Sequence, residues 1–273
     1  MDLFFTYLAQ PFVQNALLAS LLVAIMCGII GPFVIMRNMA FAVHGTSELA
    51  FTGAAAGLLL ANHPVEGALI GSLMFAAIIG VLGVKEKERD STIGVILAFG
   101  VGLGVLFLSF YKGFATQATN ILFGNIFGIG TNQLLLLLAI AIGSVATMAI
   151  MYRPLLFSSI DPEVAEAKGV PIKIIGIIFL LILALAITQA AQIVGTLLVL
   201  SLAITPAASA QRLSAKPLVV VFLSILFALI SAVGGLLASL VIADGSIKTS
   251  VCVAIISFTI YVISRLFTLK GLR

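Results

Sequence analysis

Charge is what this chain has least of. Asp, Glu, Lys and Arg together make up 9% of its 273 residues, against about 25% in an ordinary soluble domain. No polar stretch is long enough to form a soluble domain, so residues 1–273 read as a single membrane domain. The apolar runs are continuous and lack the alternation of a membrane β-strand, which argues against a barrel. An all-α polytopic membrane protein remains. No Walker-type phosphate loop is present, so the chain itself is not an ATP-hydrolysing enzyme by that route. The glycines of Gly100-x-Gly102-x-Gly104 lie inside an apolar run and read as helix-packing positions. The two cysteines, Cys27 and Cys252, also fall in apolar runs and read as packing residues. No transporter-type repeat is visible. The first apolar run shows no small-residue cleavage site and reads as a retained span. The basic residues are scattered singly, which speaks for orientation in a membrane and against nucleic acid.

What is present is a series of runs near the 20 residues that a span needs. Nine candidates cover 12–36, 40–61, 65–84, 92–110, 133–152, 174–188, 193–210, 218–243 and 249–264. The sixth and seventh are separated only by Gln189 to Gln192, and joining them as one broken hairpin gives eight. Thr205-Pro206 predicts a kink in the seventh. With the N-terminus outside, the inner segments hold Arg37, Lys85, Lys87, Arg89, Arg153, Lys168, Lys173, Arg212, Lys216, Arg265, Lys270 and Arg273. These are 12 of the 14 basic residues, and only Lys112 and Lys248 fall outside. The asymmetry predicts an odd span count with a cytoplasmic C-terminus.

Two segments do not span. Residues 158–169 read as a short, capped cytoplasmic helix at about 161–168. Asp161 suits the N-cap, Pro162 the first helical position and Glu163 the positive end of the dipole. Lys168 suits the last turn and Gly169 the C-terminal cap. Such a helix, also carrying Glu166, is expected to dock onto a partner. The outer segment 113–132 is apolar and glycine-rich but too short to span, and reads as re-entrant or mouth-lining.

The candidate site is His44 with Glu48. The pair is spaced to share one helix face. Counted from Arg37 at the inner end, Glu48 lies about 16 Å and His44 about 10 Å into the span. Ala40, Ala42, Gly45, Ser47, Ala50 and Gly53 to Gly57 keep the surroundings small. Ionisable groups at that depth default to a functional reading. Three readings stand: a structural hydrogen bond, a proton relay, or a metal passage site. One pair has too few ligands for a closed tetrahedral zinc site, but two copies meeting on a two-fold axis would supply two imidazoles and two carboxylates. Gln189, Gln192 and Thr205 could line the same path, though helix packing explains them too. His63 and Glu66 flank the outer turn between the second and third spans. They could meet an incoming cation or simply be solvated.

Several motifs together resemble the membrane permeases of bacterial ATP-binding-cassette importers for zinc and manganese. They are Pro11-Phe-x-x-Asn-Ala-Leu-Leu-Ala19 and Gly28-x-x-Gly-Pro-Phe-Val-Ile-Met-Arg-x-Met-Ala40. Further along come Ser91-Thr-Ile-Gly94, Leu122-Phe-Gly-Asn-Ile126 and Asp161-Pro-Glu-x-Ala-x-Ala-x-Gly169. The last are Gln192-x-Val-Gly-x-Leu-Leu-Val199 and Thr205-Pro-Ala-Ala208. The resemblance runs nearly end to end. It implies a permease homodimer in the bacterial cytoplasmic membrane, seated on two cytoplasmic ATPases and fed by an outer metal-binding protein. It also implies a divalent metal, zinc before manganese or iron, as cargo, and no cofactor bound by this chain. The family usually places an Asp, and four residues on a His, after the Met-Ala element. Here the matching positions carry His44 and Glu48, in the reverse order. A proton-coupled secondary transporter is the rival class. The helix at 161–168 separates the two, since such a carrier needs no docking helix for an ATPase. A chelate importer is disfavoured, because a large ligand needs no such pair at mid-depth.

Overall fold

The computed structural model describes residues 10–82, 86–113, 120, 123–196, 199–243 and 247–269. Among these there is no strand. The helices are α1 (Pro11–Met36), α2 (Ala40–Ala61), α3 (Pro64–Leu82), α4 (Glu86–Phe110), α5 (Thr131–Ile160), α6 (Pro162–Ala167), α7 (Ile172–Val194), α8 (Val199–Ala203), α9 (Thr205–Leu213), α10 (Pro217–Ala243) and α11 (Thr249–Leu269). A 3-10 turn, Ile126–Gly128, precedes α5. Continuous apolar sequence in lipid has to satisfy its own backbone, and the helix does so within one segment. Among the described residues, six helices are long and apolar enough to cross a bilayer: α1, α4 from Asp90, α5, α7, α10 to Val241 and α11 to Thr268. α3 is apolar over the shorter stretch Pro64–Gly80. α2 has the length, 22 residues, but His44, Glu48 and its small polar residues dilute its apolarity.

Three expectations need correction. The break placed at Gln189 to Gln192 lies inside α7, which runs on to Val194. Glutamine and alanine are good helix formers, and their polarity alone does not end a helix. The helix ends where Gly195 takes φ +83°, a conformation that no helix continues through. The seventh candidate span is two short helices, α8 and α9, and not one rod. The expected irregularity at Thr205-Pro206 is present, since α9 starts there with proline in its first turn. The fifth run also extends beyond Tyr152: α5 continues past Arg153 and Pro154 to Ile160.

α1 and α7 are the most enclosed of the six apolar helices. Around α1, Gly28 meets the Ile225 backbone of α10, and Gly31 meets Ala203 and Ala207. α2 packs mainly between α3 and α4. The α2–α3 seam consists of four glycines: Gly53 and Gly57 face Gly67 and Gly71, so a Cβ on any of them would strike the opposite backbone. Small residues at four-residue spacing on both helices allow this approach, which gains dispersion contact without a side chain between. Asn62, with φ +59°, turns the chain from α2 into α3.

Arg37 and Arg212, two of the basic residues assigned to inner segments, lie at one end of the bundle. Arg37 reaches Ser158 and Ser159. Gln211 Nε2 donates to the Pro32 carbonyl oxygen (3.3 Å), and Arg212 donates to the Tyr261 hydroxyl (2.9 Å). At the other end, Asn15 Nδ2 donates to the Ile129 carbonyl oxygen (3.4 Å), and Lys248 stacks on Phe123 at 4.9 Å.

Substituting Gly67→Leu should lower the melting temperature and the monodisperse yield in detergent, because overpacking against backbone costs about 1–3 kcal/mol or more. Gly143→Leu, at an exposed α5 position with open space around it, is the control and should melt as wild type. Equal melting of the two variants would remove the glycine seam as a stability determinant.

Candidate functional site

α2 presents His44 and Glu48 one turn apart. Glu48 is 7% exposed and His44 is half-buried, with its ring tilted against Phe41 at 6.4 Å between centroids. The hydroxyls around them are satisfied locally. Thr46 donates to the Ala42 carbonyl oxygen (2.7 Å), Ser47 to that of His44 (2.8 Å), and Thr52 reaches the Gly100 carbonyl oxygen of α4 (2.7 Å). The two ionisable side chains are different. His44 Nδ1 is buried with no hydrogen-bond partner, and no hydrogen bond or ion pair joins His44 to Glu48 among the described residues. Of the three readings, the structural hydrogen bond between the two side chains is not made among the described residues. Gly45 lies against Phe75 and Ile93, which wall off the next face of the helix. Among the described residues, no group of three or more His, Cys, Asp and Glu side chains forms within one chain. A closed metal site would need ligands from outside it.

A cavity of about 310 Å³ opens nearer the α2–α3 turn. Ala50, Ala54 and Leu58 of α2 line it, as do Val65 and Ala68 of α3 and Thr188 and Gln192 of α7. Asn62, Asn120, Asn125, Gln133 and Thr196 add its polar rim. Among the described residues, no charged side chain lines it. The Gln133 amide donates to Gln192 Oε1, and the Asn125 backbone N–H donates to the Gln192 carbonyl oxygen (3.1 Å). Gln192 Nε2 and Thr196 Oγ1 have no partner. Gln192 thus lines this cavity. Gln189 is fully buried within α7 and Thr205 starts α9; neither belongs to the cavity lining. The described part of 113–132 lines the mouth through Asn120, Asn125 and Gly128, with Ile126 and Ile129 buried. Residues 114–119 and 121–122 lie outside the described residues, as do Lys85, Leu197, Leu198, Lys270 and Arg273 of the sequence motifs and charge count. His63 Nδ1 and Glu66 Oε1 pair at 3.5 Å beside the cavity rim, exposed by 67% and 59%.

The short helix is formed as its residues require. Asp161 Oδ1 accepts from the Val164 N–H (3.0 Å). At the other end, the Gly169 N–H donates to Glu166 and the Val170 N–H to Ala165, while Gly169 takes φ +79°. That is a Schellman motif, and it satisfies the carbonyls that a six-residue helix cannot pair. Ala165 is buried against the neighbouring helices, whereas Glu163, Val164, Glu166 and Lys168 are exposed.

Residues 9–268 match the family described as ABC 3 transport family. The manganese transport system membrane protein MntC of Halalkalibacterium halodurans is 30% identical over 264 residues, covering 96% of this chain and 89% of that one. The high-affinity zinc uptake system membrane protein ZnuB of Haemophilus influenzae is 28% identical over 225 residues, 82% of this chain and 86% of that one. Among solved structures, PsaBC from Streptococcus pneumoniae in complex with Fab superposes with a TM-score of 0.85. It is 27% identical and covers 98% of both chains.

Gly169→Val should loosen α6, because a β-branched residue tolerates that backbone poorly. Hydrogen exchange at 162–170 should accelerate while exchange in α5 and α7 stays unchanged. Unchanged protection at 162–170 would show that the cap does not hold the helix.

Proposed function

The chain belongs to the ABC 3 transport family, and from that premise we propose that it passes a divalent metal, zinc first, across the bacterial cytoplasmic membrane at a station formed by His44 and Glu48. It is the membrane permease of an ABC-type metal importer, so ATP hydrolysis belongs to a partner subunit. This membership sets aside the proton-coupled carrier.

One observation carries the station: His44 Nδ1 has no hydrogen-bond partner among the described residues, and the Glu48 carboxylate lies buried one turn away on the same helix. An unpaired buried polar group is costly. A second protomer on a two-fold axis, with a cation between, would complete both pairs as two imidazoles and two carboxylates. That set suits four-coordinate zinc. The site should hold the ion loosely, since a transport site has to release it. Neutral amides around the outer cavity support a route of access to it from the α2–α3 turn.

The remaining parts follow the same reading. We place the N-terminus outside and the C-terminus inside, with nine crossings, α8 and α9 together making one broken crossing. The exposed face of α6, with Asp161, Glu163, Glu166 and Gly169, is the contact for the cytoplasmic ATPase. An outer metal-binding protein delivers the ion near His63 and Glu66. Manganese is the second reading, favoured by relatives such as the manganese transport system membrane protein MntC. Manganese prefers more oxygen ligands than this set offers, whereas the Irving–Williams order lets zinc win at most such sites. Selectivity between the two would then rest with the delivering protein.

The test is radiometal uptake by the complex with its ATPase in liposomes, across zinc, manganese and iron. Glu48→Ala should lower uptake by more than about tenfold, the scale on which altering groups around a metal acts. Complex assembly should be unchanged. Normal zinc and manganese uptake by that variant would sink the station, and a manganese-only signal in wild type would overturn zinc.

A further inference from the structure

Arg37 is half-buried in the elbow between α1 and α2, and it touches three helices. Its Nη1 donates to Ser158 Oγ (3.2 Å) and Ser159 Oγ (3.4 Å) at the end of α5. Its guanidinium stands 5.6 Å from the ring centroid of Phe179 in α7. The two hydroxyls have no proton to spare: both donate to the Leu155 carbonyl oxygen, at 3.0 and 2.6 Å. Their lone pairs are thereby turned outward as acceptors, the role a guanidinium donor requires. Ser158 is itself buried.

The position of this contact is what gives it meaning. Ser159 lies two residues before Asp161, the cap of α6, and Phe179 lies on the helix that follows α6. Arg37 therefore binds both arms of the hairpin that carries the exposed short helix. On its other side the elbow is only three residues long. Arg37, Asn38 and Met39 bond back into α1 through the Phe33, Ile35 and Val34 carbonyls, Asn38 takes φ +52°, and the Met39 carbonyl accepts the first turn of α2. His44 follows seven positions after Arg37, about 10 Å along the helix.

We infer that Arg37 is a positioning residue that transmits displacement of α6 to α2, and so sets whether the His44–Glu48 station faces one side or the other. This rests on the proposed importer function. The planar fork matters as well as the charge, because two acceptors and a ring are engaged together. Cation–π contact and charged hydrogen bonds at a half-buried site are strong enough to carry the movement without slack.

The experiment uses the full complex with its ATPase in liposomes, reading zinc and manganese transported per ATP hydrolysed. Arg37→Gln should assemble and hydrolyse ATP at the basal rate, while metal moved per ATP falls about tenfold, within the usual range of coupling effects. Arg37→Lys should recover little. Ser158→Ala with Ser159→Ala, which leaves the elbow intact, should uncouple in the same direction. Added to Arg37→Gln, that pair should cause no further loss, since the three residues act as one contact. If the variants lower yield and hydrolysis together and leave metal per ATP unchanged, the contact is only structural and the inference falls. Additive losses would overturn it too. Failure of the station is read separately: Glu48→Ala with normal uptake would remove the station while leaving uncoupling by Arg37→Gln intact.

Discussion

Two ionisable side chains held one turn apart within an apolar helical bundle, with no hydrogen bond or ion pair between them among the described residues, are the constraint to which much of this structure answers. A charge at such a position is tolerated only where packing or a cavity prepares for it. The preparation is visible on every face of α2. Glycine meets glycine on the α3 side, a threonine hydroxyl reaches the α4 backbone, and alanines leave space toward α7. α2 is not among the six helices apolar enough to cross a bilayer, and it is held by the close approach of its neighbours.

The second organising feature is the division of polar chemistry along the bundle. Guanidinium groups concentrate at the end that carries α6, where they meet hydroxyls and aromatic rings. Amides concentrate at the opposite end, around the cavity. Between them stand His44 and Glu48. A bundle built in this order has guanidinium groups toward one end, amides toward the other, and an imidazole and a carboxylate on α2 in between.

Much of this was legible in the residues. The pair at His44 and Glu48 stands out because nothing else in the spans is both ionisable and correctly spaced. α6 was legible down to its caps, since Asp, Pro and Gly each have a physical reason to occupy their positions. The end of α7 was not, because the polarity of Gln189 and Gln192 looked like a break, while the true break came from the backbone freedom of Gly195. The cavity was only glimpsed through Gln192. Its amides come from the α2–α3 turn, the segment before α5, α5 itself and α7, and no local pattern joins positions so far apart in sequence. The glycines at 53, 57, 67 and 71 were readable as small, but their facing one another depends on the turn at Asn62.

That seam of four glycines has a mechanical consequence. Where side chains interdigitate, helices can exchange rotamers and slip. Where backbone lies on backbone there is nothing to repack, and a shift by one residue would drive a leucine or an alanine into the opposite chain. α2 and α3 therefore behave as one two-stranded beam. The beam carries Glu48 along its length and Pro64, Val65 and Ala68 at the cavity rim, so any tilt that reorients the carboxylate also reshapes the mouth.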